Sequence, residues 1–233
     1  MHDEEAQQQK AGMQTLFTKI AARYDLVNTL ISLGQDQGWR NEALSMAKVP
    51  PTGKLLDVAT GTGCIALTAR RRYPELHVTG VDLTPAMVVL AQHKKGGDSA
   101  AWSISDGLAL PFPDDTFDAV ISGFMMRNVP DIAQAFVEQR RVVRPGGRVV
   151  CLEITWPANP LMSLLFKGYF FGWASLVGYL VSGNVEAYRY LPRSVRGFVS
   201  PEIMVKQMQN VGLKEVTRHL RMLGTTAIYV GVK

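Results

Sequence analysis

The sequence predicts an α/β fold built on a mostly parallel, seven-stranded sheet that ends in an antiparallel hairpin. From Lys54 onward, short runs rich in β-branched residues alternate with helical patterns, and glycine or proline clusters separate them. Such alternation is typical of βαβ units with helices on both faces of a parallel sheet. Only Leu223-Gly224-Thr225 joins the last two extended runs. That link is too short for a crossover, so these two strands must be antiparallel.

The individual elements follow from these patterns in chain order. The predicted strands are 54–59, 77–82, 101–105, 117–123, 148–155, 214–222 and 226–232, and the predicted helices between them are 63–72, 85–94 and 131–143. Pro145-Gly146-Gly147 is interpreted as the turn that stops the last of these helices before the next strand.

Two segments lie outside this scheme. Residues 1–48 form a predicted helical segment, of which MHDEEAQQQK is expected to be a frayed polar tail, and residues 49–233 form the main domain with an inserted helical cover at about 157–198. A structureless connection of that length is uncommon unless it has a function. Since open α/β sheets bind ligands at the carboxyl ends of their strands, we expect both segments to cover that edge.

Composition excludes several classes of function. The net charge of +5 is modest and the longest basic run is Arg70-Arg71-Arg72, so no nucleic-acid partner is expected. Cys64 and Cys151 each lie in an apolar run and are interpreted as core residues, without a disulfide or a metal site. The N-terminus lacks a basic stretch followed by an apolar one, which favours a cytoplasmic location.

The stretch LLDVATGTGCIAL predicts a ligand-binding turn between a strand and a helix. Gly61, Gly63 and Ala66 match part of the dinucleotide fingerprint, whose glycines let backbone approach a ligand. Asp57 precedes them, and a carboxylate here would oppose the negative charge of a pyrophosphate. It therefore favours S-adenosylmethionine, which carries a sulfonium and an ammonium group and no phosphate.

Two further acids follow the next predicted strands. Asp82 is placed to bind ribose hydroxyls, which either cofactor would require, and Asp106 is followed by Gly107, where backbone could approach an adenine. Taken singly, the glycines could only form a tight turn, Asp57 could only cap a helix, and Asp106 could be a solvated loop acid. Three acids at three successive strand ends together favour cofactor binding.

At these residues the chain resembles known families. DVATGTG, GVDLTPAMV, SDGLALPFPDDTFDAVIS and RVVRPGGRVVCLE are similar to motifs of the class I S-adenosylmethionine-dependent methyltransferases, a Rossmann-like fold, over about residues 54–155. YDLVNTLISLGQDQGW, GFMMRNV, RVVRPGGRVVCLEIT and AYRYLPRSVRGF resemble the ubiquinone/menaquinone biosynthesis C-methyltransferases, and these matches span nearly the whole chain.

The resemblance implies methylation of a ring carbon of a prenylated quinol, either demethylmenaquinol or a ubiquinone precursor. The cofactor residues that it implies are Gly61, Thr62, Gly63, Asp82, Leu83, Asp106, Gly107 and Gly123, in addition to Asp57. No metal is implied.

The chain departs from the family pattern around the expected acceptor. It has Val27 where Met is usual, Asp36 where His is usual, Met125-Met126 in place of Gly-Leu, and Pro192-Arg193 in place of Ala-Glu or Pro-Glu. These departures leave two other hypotheses open: a methyltransferase for a phospholipid amine or a small aromatic molecule, and a noncatalytic S-adenosylmethionine-binding module.

Methylation of a ring carbon requires an electron-rich acceptor, which means a reduced quinol and a group that stabilises its anion. None of the four histidines falls at a suitable strand end, whereas Arg127 follows the fourth strand and could stabilise a quinolate oxygen. Alternatively, Arg127 pairs with Asp131. Asn128 is expected to orient the acceptor, and Tyr24 and Asp25 to close the pocket and accept a proton, although Asp25 could instead cap a helix.

The apolar stretch PLMSLLFKGYFFGWASLVGYLVSG contains one charge, Lys167. Its length approaches a membrane span, yet the strands before and after it must join one sheet, which excludes a single span. It is therefore a buried cover, an interfacial surface, or both. We expect peripheral contact with lipid at the inner face of the membrane and leave a homodimer open. The expected tail-channel residues are Phe166, Phe170, Phe171 and Trp173, and Arg189, Arg193 and Arg196 either contact lipid phosphates or are solvated.

Overall fold

The computed structural model describes residues 2–174, 176–177 and 194–233. The strands in these ranges are β1 (Lys54–Val58), β2 (His77–Asp82), β3 (Ala101–Ile104), β4 (Phe117–Gly123), β5 (Val143–Ile154), β6 (Lys214–Arg221) and β7 (Thr226–Val232). They form a seven-stranded sheet in the order β3-β2-β1-β4-β5-β7-β6.

The pairing of the strands confirms the predicted fold. β1 is parallel to both β2 and β4, β2 is parallel to β3, and β4 is parallel to β5, whereas β7 runs antiparallel to both β5 and β6. The chain runs outward from β1 to β3 and then returns to β4 on the other side of β1. This reversal leaves a crevice at the carboxyl ends of β1 and β4, where open α/β sheets bind ligands.

The helices are α1 (His2–Ile20), α2 (Tyr24–Ile31), α3 (Gln35–Met46), α4 (Cys64–Arg72), α5 (Pro85–His93), α6 (Ile132–Val142), α7 (Pro160–Tyr169) and α8 (Pro201–Asn210), and a π-helical turn (Phe170–Ala174) follows α7. Because α1 begins at His2, the expectation of a frayed polar tail was wrong. Side chains of α1 contact the sheet edge through Lys10 and Gln14, which explains why this polar stretch is ordered.

The Pro-Gly-Gly stretch was also predicted wrongly. α6 ends at Val142 and β5 starts at the next residue, so Pro145 to Gly147 lie inside the strand as a bulge rather than in a turn before it. The register with β4 jumps across this stretch. Gly146 has a φ of 78°, and a Cβ on Gly147 would lie 2.6 Å from the carbonyl oxygen of Asp118, so both glycines are required by the bulge.

The core lies on both faces of the sheet because successive strand side chains point in opposite directions. Leu56 packs with Phe136 of α6 and Met204 of α8, while its neighbour Leu55 packs with Leu44 of α3 on the other face. Helices packed on both faces hold the strand ends rigidly in place.

No helix in the described part of the chain is long and apolar enough to span a bilayer. The predicted cover at 157–198 is described only in part, and Arg189, Pro192 and Arg193 lie outside the described residues. The division of the chain at residue 48 stays a prediction.

Candidate active site

Two adjoining cavities lie at the carboxyl edge of the sheet. A narrow cavity of about 100 Å³ lies over β1, β2 and β4, and a broad cavity of about 400 Å³ lies beside it under α7. Tyr24 and Phe124 line both cavities and therefore form the wall between them.

Most predicted cofactor residues meet at the narrow cavity. Those that line it are Gly61, Asp82, Leu83, Asp106, Gly107 and Gly123. Asp57, near the end of β1, and Thr62, in the β1–α4 turn, are buried nearby rather than on the cavity wall. Gly63, also in this turn, has a φ of 77°, and a Cβ on it would lie 2.6 Å from the Trp102 ring. Gly63 therefore serves the close packing of the turn.

Asp82 holds the glycine turn in place from the end of β2. Its Oδ2 accepts a hydrogen bond from the Gly61 amide and its Oδ1 from the Thr84 amide, each at 2.8 Å. Burial raises the pKa of its carboxyl, although the two backbone hydrogen bonds act in the opposite direction. A carboxylate fixed at this strand end suits the hydroxyls of a ribose.

Asp57 is almost wholly buried behind the turn. Its Oδ2 accepts hydrogen bonds from the Thr60 hydroxyl at 2.6 Å and the Ala66 amide at 3.1 Å, while its Oδ1 has no hydrogen-bond partner among the described residues. Burial raises the pKa of Asp57 to about 7. The carboxyl is therefore about half ionised at neutral pH, so Asp57 opposes a pyrophosphate less strongly than a fully charged carboxylate would.

The cavity wall fits a cofactor that contacts bare backbone. Gly61, Gly107 and Gly123 line the narrow cavity, so no side chain separates a ligand from the backbone at these three positions. Together with the buried, unpartnered Oδ1 of Asp57, which can accept from an ammonium group, this cradle fits S-adenosylmethionine.

Helix α1 covers the narrow cavity. Lys10 forms an ion pair with Asp106 at 2.5 Å, and the Gln14 amide donates to the carbonyl oxygen of Leu83 at 2.6 Å. Met13 and Phe17 complete this wall. Sequence reasoning missed these residues, because nothing in a polar helix indicates which loop it will cover.

Arg127 lies in the broad cavity, as its position after β4 predicted, but its partner differs. Its Nη1 pairs with Glu153 and also donates to the carbonyl oxygen of Phe124 at 3.1 Å. The alternative partner, Asp131, instead caps α6 by accepting from the Gln134 amide at 2.9 Å. Both Arg127 and Glu153 are buried, so the ion pair is shielded from solvent.

Glu153 was missed by the sequence analysis although a signal was present. It ends the apolar run of β5, at the same edge of the sheet as the acids at the carboxyl ends of β1, β2 and β3. A fourth acid at that edge could have been noted as a partner for a buried cation.

A second buried guanidinium, Arg40, reaches the broad cavity from α3. It lies 3.7 Å from the Asp36 carboxylate, the residue at which the family usually has His. Arg40 and Arg127 each lie 5.7 Å from the centre of the Phe124 ring, within cation–π range. Phe124 has a left-handed φ of 60°, a strain of the kind that concentrates at functional sites.

Tyr24 belongs to the wall between the two cavities, and Asn128 lies on the side of the narrow cavity. Tyr24 is half-buried and hydrogen-bonds with Asn28; burial raises the pKa of its hydroxyl, while Arg40 and Arg127 lower it. The net increase keeps this hydroxyl protonated and able to donate. Asn128 donates to the carbonyl oxygen of Phe124 at 3.0 Å and lines the narrow cavity, so it is not placed in the broad one.

The structure does not bring Asp25 into either cavity. Its carboxylate accepts from the Thr62 hydroxyl at 2.5 Å, contacts Sγ of Cys64 at 3.4 Å and pairs with Lys94. Burial would raise the pKa of Asp25, but the contacts with Lys94 and Thr62 hold it below its usual value, which makes it a poor base. Cys64 is only half-buried, so its interpretation as a core residue was wrong; Cys151 is buried.

Among the described residues, no group of three His, Cys, Asp or Glu side chains is placed to hold a metal ion.

Comparison with known proteins agrees with this geometry. Residues 3–233 match the ubiE/COQ5 methyltransferase family. The chain belongs to this family. A demethylmenaquinone methyltransferase of Deinococcus radiodurans is 42% identical over 223 residues, which cover 95% of this chain and 92% of that protein. A ubiquinone/menaquinone biosynthesis C-methyltransferase UbiE of Desulfotalea psychrophila is 39% identical over 222 residues, covering 95% and 90%.

Solved structures show how widely the fold of this ubiE/COQ5 family member is shared. A SAM-dependent methyltransferase from Aquifex aeolicus superposes with a TM-score of 0.59 at 16% identity, covering 82% of this chain and 88% of that one. A phosphoethanolamine N-methyltransferase of Haemonchus contortus, solved with S-adenosyl-L-methionine, gives a TM-score of 0.62 at 15% identity, covering 83% and 52%. At these identities the likeness shows the class I methyltransferase fold alone.

Proposed function

We propose that this chain transfers a methyl group from S-adenosylmethionine to a ring carbon of a prenylated quinol, either demethylmenaquinol or a ubiquinone precursor. The observation that carries this proposal is an apolar cavity with two buried guanidiniums, Arg40 and Arg127, adjoining a glycine cradle across the wall formed by Tyr24 and Phe124. The names of the relatives support the same reaction.

The glycine cradle would hold the cofactor, which supplies an electrophilic methyl group on its sulfonium. Asp82 would bind the ribose hydroxyls, and Asp106 with the Gly107 backbone would bind the adenine. Asp57 would accept from the ammonium group through its unpartnered Oδ1.

In the broad cavity, the chain's own residues would prepare the acceptor. A ring hydroxyl of the quinol would give its proton to water, and the Arg127 guanidinium would stabilise the charge left on that oxygen. After methyl transfer, the proton of the methylated ring carbon would also leave to water. Glu153 fixes the guanidinium, and burial of this pair means that little water competes with the contact. The Tyr24 hydroxyl stays protonated and can donate to the acceptor across the wall. Orientation of the ring against the methyl donor supplies the remaining advantage.

The hydrogen-bond donors of the broad cavity favour a quinol over a phospholipid amine. Arg40 and Arg127 are each paired with a carboxylate, so they contribute N–H donors rather than net charge. These donors suit a quinol oxygen that is becoming negative, whereas a methylated ammonium group has no lone pair with which to accept from them. The lining of the broad cavity also includes the aromatic side chains of Trp39, Phe166 and Phe170. They suit a flat ring with an apolar tail.

The location of the enzyme follows from the solubility of its acceptor. We propose that it works from the cytoplasm as a peripheral protein at the inner face of the membrane, where a prenylated quinol is available. The net charge of +5 supports contact with anionic lipid. A homodimer stays a prediction.

The reaction can be tested directly. Purified protein with S-adenosylmethionine and a short-tailed demethylnaphthoquinol or demethylbenzoquinol, kept reduced with dithionite, is expected to give a product heavier by one methylene, measured by mass spectrometry. Asp82→Ala is expected to abolish cofactor binding in calorimetry, whereas Arg127→Gln is expected to retain that binding and lose turnover about a hundredfold.

Methylation of phosphatidylethanolamine with no product from either quinol would assign the acceptor to the phospholipid class. Cofactor binding without transfer to any of these acceptors would favour the noncatalytic binding module. Normal turnover by Arg127→Gln would contradict the role given to this residue.

A further inference from the structure

The mouth of the broad cavity is surrounded by exposed leucines from three separate elements. Leu33 follows α2, Leu165 lies on α7, and Leu223 lies at the tip of the β6–β7 hairpin; all three line the cavity. Their side chains are nevertheless 63%, 58% and 77% exposed. The cavity therefore opens at a ring of apolar side chains rather than polar ones.

Helix α7 is apolar on both of its faces. Met162, Phe166 and Tyr169 face the cavity, whereas Leu161 and Leu164 lie on the outer face at 62% and 65% exposure. A helix that is apolar all round normally lies within a protein core or in lipid. Since the outer face of α7 is exposed in the described part of the chain, it needs an apolar partner.

The leucine pattern continues onto α2. Leu26 and Leu30, which are 55% and 37% exposed, share a helix face that leads to Leu33. The end of α7 and the π-helical turn after it are tied to α2, because the Tyr169 hydroxyl donates to the carbonyl oxygen of Ile31 and the Trp173 indole to that of Leu30 at 3.5 Å. The two elements thus present their leucines as one surface.

The tip of the β6–β7 hairpin carries backbone strain that is unusual in a solvent-exposed turn. Met222 and Leu223 have φ values of 48° and 56°, a left-handed conformation that costs free energy for any residue with a branched or bulky side chain. Glycine, asparagine or aspartate is the usual choice at such positions in a turn. Here the chain instead holds a leucine in the most exposed apolar position of the rim.

The stretch of the rim that contains α7 carries no carboxylate, which suits an anionic surface. No Asp or Glu occurs between Glu153 and Glu186, and the only ionisable cation in that interval, Lys167, is an exposed residue of α7. A bilayer that contains anionic lipids meets no opposing carboxylate from this stretch.

We propose that Leu26, Leu30, Leu33, Leu161, Leu164, Leu165 and Leu223, the leucine rim, enter the acyl region of an anionic bilayer. The prenylated acceptor then passes from lipid into the broad cavity without crossing water. This inference rests on the proposed function, because a lipid-soluble acceptor is what makes an apolar mouth useful. Continuity between rim and cavity favours lipid over a second copy of the chain, since a protein covering the rim would also close the mouth.

The test compares rim variants with a matched control on a distant helix. The double variant Leu161→Asp/Leu164→Asp and the single variant Leu26→Asp place charges in the rim without touching the cavity lining. Ile203→Asp on α8, where the native side chain is 43% exposed, adds the same charge away from the rim. Sedimentation with vesicles of phosphatidylcholine and phosphatidylglycerol is expected to show at least a tenfold loss of partitioning for the rim variants and almost none for the control.

Activity separates this inference from the proposed function. With a water-soluble, short-tailed quinol the rim variants are expected to turn over as the wild type does, whereas with a long-tailed quinol embedded in vesicles they are expected to lose at least tenfold in kcat/KM. Equal vesicle binding by the wild type and the rim variants would overturn the proposal that the leucine rim enters the bilayer. It would leave the proposed quinol methylation unaffected. Absence of methyl transfer to the soluble quinol by wild type would overturn the proposed function instead.

Light scattering completes the comparison. A concentration-dependent dimer of the wild type that the rim variants abolish, without vesicle binding by either, would show that the rim is a protein interface and would overturn the inference.

Discussion

At the scale of single residues, the site depends on charges that the fold holds away from water. Asp57, Arg127 and Glu153 are each buried, and each would be costly to bury alone. They differ in how that cost is met. Arg127 and Glu153 neutralise each other, whereas Asp57 has hydrogen bonds on one oxygen only and a pKa of about 7.

Asp57 predicts a pH-dependent stability. Its pKa rises from 3.8 to about 7 on folding, so the folded protein retains a proton that the unfolded chain has already lost. The stabilisation that this proton gives is fully present below pH 4 and is lost as the pH rises to 7. The loss lowers the free energy of unfolding by up to about 4 kcal/mol. Between pH 5 and pH 8, urea unfolding is expected to show about 3 kcal/mol of this loss in the wild type relative to Asp57→Asn, which cannot ionise.

Binding of the cofactor is expected to offset the loss of stability that ionisation of Asp57 causes. Because its ammonium group would pair with the ionised Asp57 carboxyl, S-adenosylhomocysteine is expected to bind more tightly as the pH rises towards 7 and to level off above it. An equal pH slope in the wild type and in Asp57→Asn would contradict the value of about 7 for this pKa.

The buried pair of Arg127 and Glu153 gives a second residue-scale prediction. Glu153→Gln keeps the shape of the side chain and removes its charge, which leaves the Arg127 guanidinium buried without compensation. The free energy of unfolding is expected to fall by about 3–5 kcal/mol, measured by urea denaturation.

A double variant separates stability from reaction. Arg127→Met/Glu153→Met removes both charges and is expected to recover most of the lost stability while turnover stays lost, because the Arg127 guanidinium no longer faces the acceptor. Recovery of turnover together with stability would mean that the pair has only a structural role.

At the scale of elements, helix α1 connects the N-terminus to the narrow cavity. Its two polar contacts, from Lys10 to Asp106 and from Gln14 to the Leu83 carbonyl, join residues that are far apart in sequence. Helix α1 therefore acts as one wall of the cavity, and its attachment is expected to slow the release of the cofactor.

Lys10→Ala/Gln14→Ala is expected to speed the dissociation of S-adenosylhomocysteine about tenfold, measured by stopped-flow displacement, because two tethering hydrogen bonds are removed. Thr15→Ala is the matched control, since among the described residues its exposed hydroxyl contacts only the Ala11 carbonyl of the same helix. Equal dissociation rates in the double variant and the control would show that α1 does not restrain the cofactor.

At the scale of the whole molecule, the topology assembles the site. Reversal of strand order between β1 and β4 brings the acids at the carboxyl ends of β1, β2 and β3 to one crevice, and the return through β5 adds Glu153 beside it. The N-terminal helices and α7 then enclose the two cavities. Because Tyr24 and Phe124 belong to both, methyl donor and acceptor would meet at a single wall.

The sequence by itself determined the sheet, its hairpin and the glycines and acids of the narrow cavity. These depend on local patterns: strand periodicity, glycine turns, and acids at strand ends, which a parallel sheet must place at one edge. The helical state of the first residues and the bulge at Pro145 to Gly147 escaped prediction, since long-range contacts decide both.

Only the tertiary structure decided which charges meet. Arg127 pairs with Glu153 and not with the nearby Asp131, Asp25 is held by Lys94 outside both cavities, and Arg40 reaches the broad cavity from a helix that carries no motif for it. The physical reason is that burial and pairing depend on distances across the fold, which residue type and spacing along the chain do not contain.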